Sequence, residues 1–146
     1  IVGGTEDGVA VSEAEVRYTD PKEAVDFVKK TGIDALAVAI GTNHGQYKSK
    51  TNINFERLKE IKEAVDLPLV IHGGTGVKDE DVRQVIDLGI RKFNVGTELL
   101  VTWTKKSKEL FGQTSESSSL RNNVMPCIEA VNQVVQRKIE LFKNLN

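Results

Sequence analysis

Cysteine is nearly absent from this 146-residue chain. Cys127 stands alone, which excludes an internal disulfide framework and leans toward a reducing compartment, here read as cytoplasmic. No apolar run approaches the ~20 residues of a membrane-spanning helix. There is no excess of either charge: 20 Lys+Arg oppose 21 Asp+Glu, for a net charge of −1, which argues against nucleic-acid binding driven by bulk basic charge. Only two histidines occur, His44 and His72, and each is followed directly by glycine. A start methionine is also missing. Ile1-Val2-Gly3-Gly4 has neither a charged n-region nor a long apolar h-region, so it is not read as a signal peptide, and the chain reads as one that begins inside a domain. What is present, 28% charged and 39% hydrophobic residues, is the composition of one soluble globular domain.

Strand, loop and helix signals alternate along the chain. Asp20-Pro21 followed by Glu23 predicts a capped helix, with Pro21 at the first helical position and Gly32 as its stop. Ala35 to Ile40 is continuously apolar, as in a parallel strand buried on both faces. A loop from Gly41 to Asn54 leads to a helix carrying Leu58, Ile61 and Val65, ended by Pro68. Leu69-Val70-Ile71 reads as a second strand, followed by a helix with Val82, Val85 and Ile86 that stops at Gly89. Lys92 to Val95 reads as a third strand, leading through Gly96-Thr97 into a helix to about Phe111. Residues 112–119 read as a polar connection. A last helix, 120–145, carries Ile128, Val131, Val134, Val135, Ile139 and Phe142, with Pro126 as a kink or its true start. The repeated unit implies a parallel α/β layout with right-handed crossovers.

In such folds the carboxyl ends of the strands carry the chemistry. His44 follows the first strand by four residues, and His72 closes the second. Asn94 and Thr97 hold the matching place after the third. Two imidazoles on one rim suit zinc or a similar divalent ion, whose remaining ligand must come from a carboxylate or from sequence outside this chain. His72-Gly73-Gly74-Thr75-Gly76 and Asn94-Val95-Gly96-Thr97 are strand-to-helix loops. Their backbone N–H groups either approach an anion, with Thr75, Thr97 and Asn94 as further donors, or simply make tight turns. Lys48 either adds positive charge to that rim or is a solvated loop lysine.

These stretches resemble the class II, metal-dependent ketose-bisphosphate aldolases. The resemblance runs through Gly3-Gly4-Thr5-Glu6-Asp7-Gly8, Tyr18-Thr19-Asp20-Pro21 and Thr31 to Gly45, then Leu67 to Gly76 and Phe93 to Thr97. It covers about residues 3–112, with the motifs in order. It implies a TIM (β/α)8 barrel that cleaves fructose or tagatose 1,6-bisphosphate reversibly to dihydroxyacetone phosphate and glyceraldehyde 3-phosphate. It further implies His44 and His72 as zinc ligands, and Gly45, Lys48, Gly73, Thr75 and Thr97 as phosphate contacts. By the same resemblance Asn94 is a catalytic contact to the substrate near its enediolate. A monovalent cation beside the phosphate, a dimeric or tetrameric assembly, and no membrane or nucleic-acid partner also follow from it. Gly96 departs from the fructose-type pattern, where Asp is common, and from the tagatose type, where Ala is common, so the sugar stays open.

A whole barrel needs ~250 residues. Residues 1–146 are therefore expected to be the C-terminal part of a single barrel domain, with about three to four parallel strands and 120–145 as its C-terminal helix. The family's third histidine ligand and catalytic aspartate would lie in the N-terminal half, so the chain alone is expected to be inactive. Two alternatives stand beside the enzyme reading. One is a self-associating, non-catalytic half-barrel that keeps only a phosphate site, because cut sheet edges favour association. The other is a metal-free phosphate-binding barrel.

Overall fold

The computed structural model describes residues 18–42, 52–113, 115 and 119–143, together with the backbone of 4–6 and 9–11. His44, Gly45 and Lys48 lie outside the described residues. The chain opens with a short antiparallel pair, β1 (Gly4–Glu6) and β2 (Val9–Val11). Helix α1 (Pro21–Thr31) follows, then β3 (Leu36–Ala37), α2 (Phe55–Ala64), β4 (Leu69–Ile71), α3 (Asp79–Asp87), β5 (Ile90–Phe93), α4 (Thr97–Phe111) and α5 (Leu120–Lys143).

Strands β3, β4 and β5 form one parallel sheet in that order, with Leu36 beside Leu69 and Leu69 beside Ile90. Sequential strands are therefore neighbours, each reached by a helical crossover, as barrel units require. The core lies between sheet and helices. Ile40, Leu58, Ile61, Leu69, Ile71, Val82, Val85 and Ile90 are essentially without exposure. Each such side chain stabilises the fold by about 1.5–3 kcal/mol relative to leaving it in water.

Local chemistry fixes the helix ends. The Asp20 carboxylate accepts from the backbone N–H groups of Lys22 and Glu23 at 2.8 and 3.1 Å, and Gly32 closes α1 in the left-handed conformation. These hydrogen bonds, that of Glu23 foremost, hold the Asp20 carboxyl below its ordinary value. Asn54 caps α2 through Arg57 N–H at 2.9 Å. Helix α2 ends at Ala64, with the buried Val65 as its cap, four residues before Pro68.

The apolar run after Asp34 forms only a short ladder. Val38 still donates to Val70 O at 3.1 Å, but Ala39 turns to Thr19, giving its carbonyl to Thr19 N–H and its N–H to Thr19 Oγ1, both at 2.9 Å. Gly41 then turns the chain with φ +107°, and a Cβ there would collide with the carbonyl oxygen of Asn52. The third strand starts two residues earlier than its sequence pattern indicates, because Ile90 is drawn into the core. Leu69 faces Ile90 and Val70 faces Lys92, so Arg91 is the extra residue of a bulge. Its guanidinium donates to Ile86 O at 2.7 Å and Ile90 O at 2.9 Å, satisfying a carbonyl in the last turn of α3.

Helix α5 runs through Pro126 and buries Cys127, Val134 and Leu141 at seven-residue spacing. Ile128, Val135 and Ile139, expected on its inward face, are instead 37–44% exposed. Near its C-terminal end Phe142 stacks on Phe93 of β5, ring centroids 5.0 Å apart. Among the described residues, no helix is long and apolar enough to cross a membrane.

Candidate active site

The carboxyl ends of β4 and β5 are joined by backbone hydrogen bonds before any side chain is considered. Asn94 N–H donates to Ile71 O at 3.0 Å, and Gly74 N–H donates to Asn94 O at 3.2 Å. The loop after β4 is thereby fastened to the loop after β5. Gly73 adopts φ +71°, a conformation that costs a residue with a Cβ, and so turns the chain immediately behind His72.

On this frame the Asn94 carboxamide Nδ2 lies 3.2 Å from His72 Nδ1 and 3.5 Å from Nε2. Lys92 Nζ donates to the other end of the same carboxamide, Oδ1, at 2.8 Å. An ammonium only donates, so this contact assigns the oxygen to Lys92 and leaves the NH2 facing the imidazole.

Asn94 also borders a cleft of about 460 Å³, together with Gly73, Thr75, Phe93, Val95, Gly96 and Thr97. Thr75 is 9% exposed, and its Oγ1 accepts from the backbone N–H of Glu98 at 3.2 Å. That bond uses the oxygen and leaves the hydroxyl proton to be given elsewhere. The bond also ties the loop after β4 to the first turn of α4, where the helix dipole favours an anion. No atom lies within 4 Å of a Cβ placed on Gly96, so this border of the cleft is open.

Of the residues singled out from the sequence, the structure thus brings together His72, Gly73, Thr75, Asn94 and Thr97 at one rim. His44, Gly45 and Lys48 fall outside the described residues. Among the described residues there is no group of three His, Cys, Asp or Glu able to hold a metal ion. The described residues supply one exposed imidazole donor, His72, which suits a divalent ion whose further ligands come from elsewhere. Sequence reasoning passed over Lys92 and Glu98. Lys92 stands two residues before Asn94, the spacing of side chains on one face of a strand, and that alternation was the available signal.

The whole chain, residues 1–146, matches the family model described as fructose-bisphosphate aldolase class-II. Among solved structures it is similar to the YdjI aldolase from Escherichia coli K12, with 41% identity and a TM-score of 0.77 over 86% of this chain and 46% of that one. A candidate fructose-1,6-bisphosphate aldolase from Coccidioides immitis is 26% identical, with a TM-score of 0.76 over 97% of this chain and 49% of that one. The fructose-bisphosphate aldolase of Campylobacter jejuni, 20% identical with a TM-score of 0.61 over 86% of this chain and 45% of that one, shares the fold. The chain spans about half the length of each of these three proteins. Three parallel strands with their crossover helices are the corresponding part of an aldolase barrel. Motif order, rim geometry and these matches agree, and the chain belongs to the class II fructose-bisphosphate aldolase family.

Proposed function

We propose that this chain is the C-terminal half of a metal-dependent aldolase. The reaction is reversible cleavage of a ketose 1,6-bisphosphate, fructose 1,6-bisphosphate first, to dihydroxyacetone phosphate and glyceraldehyde 3-phosphate. The observation that carries this reading is the contact of Asn94 Nδ2 with the His72 ring at 3.2 Å, Asn94 itself bordering the cleft with Gly73, Thr75 and Thr97. One candidate metal ligand, one substrate donor and an anion cradle then share a single rim.

His72 and His44 would hold a divalent cation, Zn2+ or similar, with a third ligand from the N-terminal half. When bound, that cation supplies Lewis-acid polarisation of the ketose C2 carbonyl. The chain's own residues bind and orient. Gly73 N–H and the Thr75 and Thr97 hydroxyls donate to a substrate phosphate, with Gly45 and Lys48 completing the shell. Asn94 offers its N–H to the substrate oxygen on which negative charge grows, and a donor held in place beforehand needs no reorganisation as the barrier is crossed. Proton transfer to and from the substrate hydroxyl falls to an aspartate of the N-terminal half, so this chain alone is inactive. A monovalent cation near the phosphate, assembly into dimers or tetramers, and a cytoplasmic location belong to the same reading.

The test is an assay of the full-length protein on fructose and tagatose 1,6-bisphosphate, with and without chelator. Triose phosphate release that falls more than about 100-fold in EDTA and returns with Zn2+ supports the reading. Equal cleavage in excess EDTA overturns the metal-dependent mechanism, and no cleavage of either sugar overturns the substrate class.

A further inference from the structure

Glu98 sits in the first turn of α4, beside the cleft, where a carboxylate favours the helix but opposes an anionic ligand. Two cations from α5 meet it. Arg137 Nη2 lies 2.7 Å from Oε1 and Lys138 Nζ lies 3.0 Å from Oε2, so each carboxylate oxygen has its own partner. The cluster is largely withdrawn from solvent on two of its three members, with side-chain exposures of 21% for Glu98 and 13% for Lys138. Two cations and one anion leave it positive by one unit. Glu98 N–H is also the group that donates to Thr75 Oγ1. The residue that fastens the cleft floor is therefore the one whose charge α5 neutralises.

We infer that Arg137 and Lys138 are positioning residues for phosphate binding, acting through Glu98: they cancel its carboxylate and turn the field at the cleft positive. This rests on the reading of the cleft as a phosphate site. It differs from a purely mechanical clamp between α4 and α5 in what Glu98→Gln does. A clamp is broken equally from either side. A neutralising pair becomes unnecessary once Glu98 carries no charge.

The experiment uses the full-length protein and reads kcat, KM for the ketose bisphosphate, inhibition by inorganic phosphate, and thermal stability. The variants are Arg137→Met, Lys138→Met, both together, Glu98→Gln alone, and Glu98→Gln with both. The double variant is expected to raise KM and the phosphate inhibition constant about fivefold or more, with kcat within about twofold, since Lys138 and Glu98 are part-buried and poorly screened by salt, while the more exposed Arg137 contributes less. Glu98→Gln alone is expected to leave both constants unchanged or lower, and to recover part of the loss in the double background, where it takes the cluster from −1 to neutral. Where the double variant does not fold, the single Lys138→Met with and without Glu98→Gln reads the same contrast. Glu98→Gln weakening phosphate as much as the double variant does, or a double variant with unchanged constants, overturns the inference. Thr75→Val separates the two failures. If it weakens phosphate while the double variant does not, the inference alone falls, and if neither changes phosphate inhibition, the phosphate site falls with it.

Discussion

Lys92 holds the Asn94 carboxamide by its oxygen at 2.8 Å, and this orients its NH2 toward His72. Lys92 bonds to Asn94 and is not itself among the residues that border the cleft, so its contribution runs through Asn94. Replacing Lys92 by Met frees the carboxamide to flip. In the full-length protein kcat is expected to fall about tenfold, the range for partners that orient a site residue, with KM within about twofold. Lys92→Arg, which keeps a donor, is expected to recover most of that loss. Steady-state kinetics of the two variants checks this, and equal losses in both would contradict it.

The stack of Phe142 on Phe93 couples the end of α5 to the strand that delivers Asn94. Phe142→Ala removes the ring contact and leaves a gap beside a half-buried partner. Urea unfolding is expected to show a loss of about 1–3 kcal/mol. Phe142→Leu, which retains much of the volume, is expected to lose about half as much or less.

Two glycines at the rim should respond in opposite ways. Gly41→Ala forces a Cβ onto φ +107° and into the Asn52 carbonyl, and a loss of more than about 2 kcal/mol is expected. Gly96→Ser meets open space at φ −123° and adds a capping hydroxyl ahead of α4, so stability is expected to stay within about 0.5 kcal/mol of the parent. Thermal unfolding of both variants side by side is the check.

The Asp20 cap carries a pH signature. Its carboxyl titrates below the ordinary value because the Glu23 and Lys22 N–H groups favour the charged form. A depressed folded value contributes stability that is fully present above the unfolded value and is lost as pH falls through the folded one. The destabilising effect of Asp20→Ala is therefore expected at neutral pH and to shrink as the solution is acidified below the ordinary carboxylate range. Asp20→Asn keeps an acceptor that does not titrate and is expected to remove the pH dependence of this cap. Melting temperatures across an acid series for the three proteins decide it.

The rim was legible in the sequence because its signals are local. His72-Gly73 follows a buried apolar run and Asn94 lies at the end of the next strand, so neighbouring parallel strands bring them together. Asp20-Pro21 and Gly32 marked α1 because caps are set by a few adjacent residues. What depended on register was not legible. The bulge at Arg91 shifts the pairing of β5 by one residue, and no local pattern announces it. The Arg137–Glu98 pair joins residues 39 apart, so it exists only once α5 has packed on α4. Apolar residues on α5 occupy more than one stripe, and packing selects Cys127, Val134 and Leu141 over Ile128, Val135 and Ile139. His44, Gly45 and Lys48 lie outside the described residues, and their part in the site rests on the proposal above.

Metal content tests the central claim most directly. The full-length protein, loaded with Zn2+ and freed of excess, is expected to carry about one equivalent per chain by elemental analysis. His72→Ala and His44→Ala are each expected to lose most of that metal together with cleavage activity, while circular dichroism stays that of the parent. A His72→Ala variant that keeps both its metal and its cleavage activity would contradict the account.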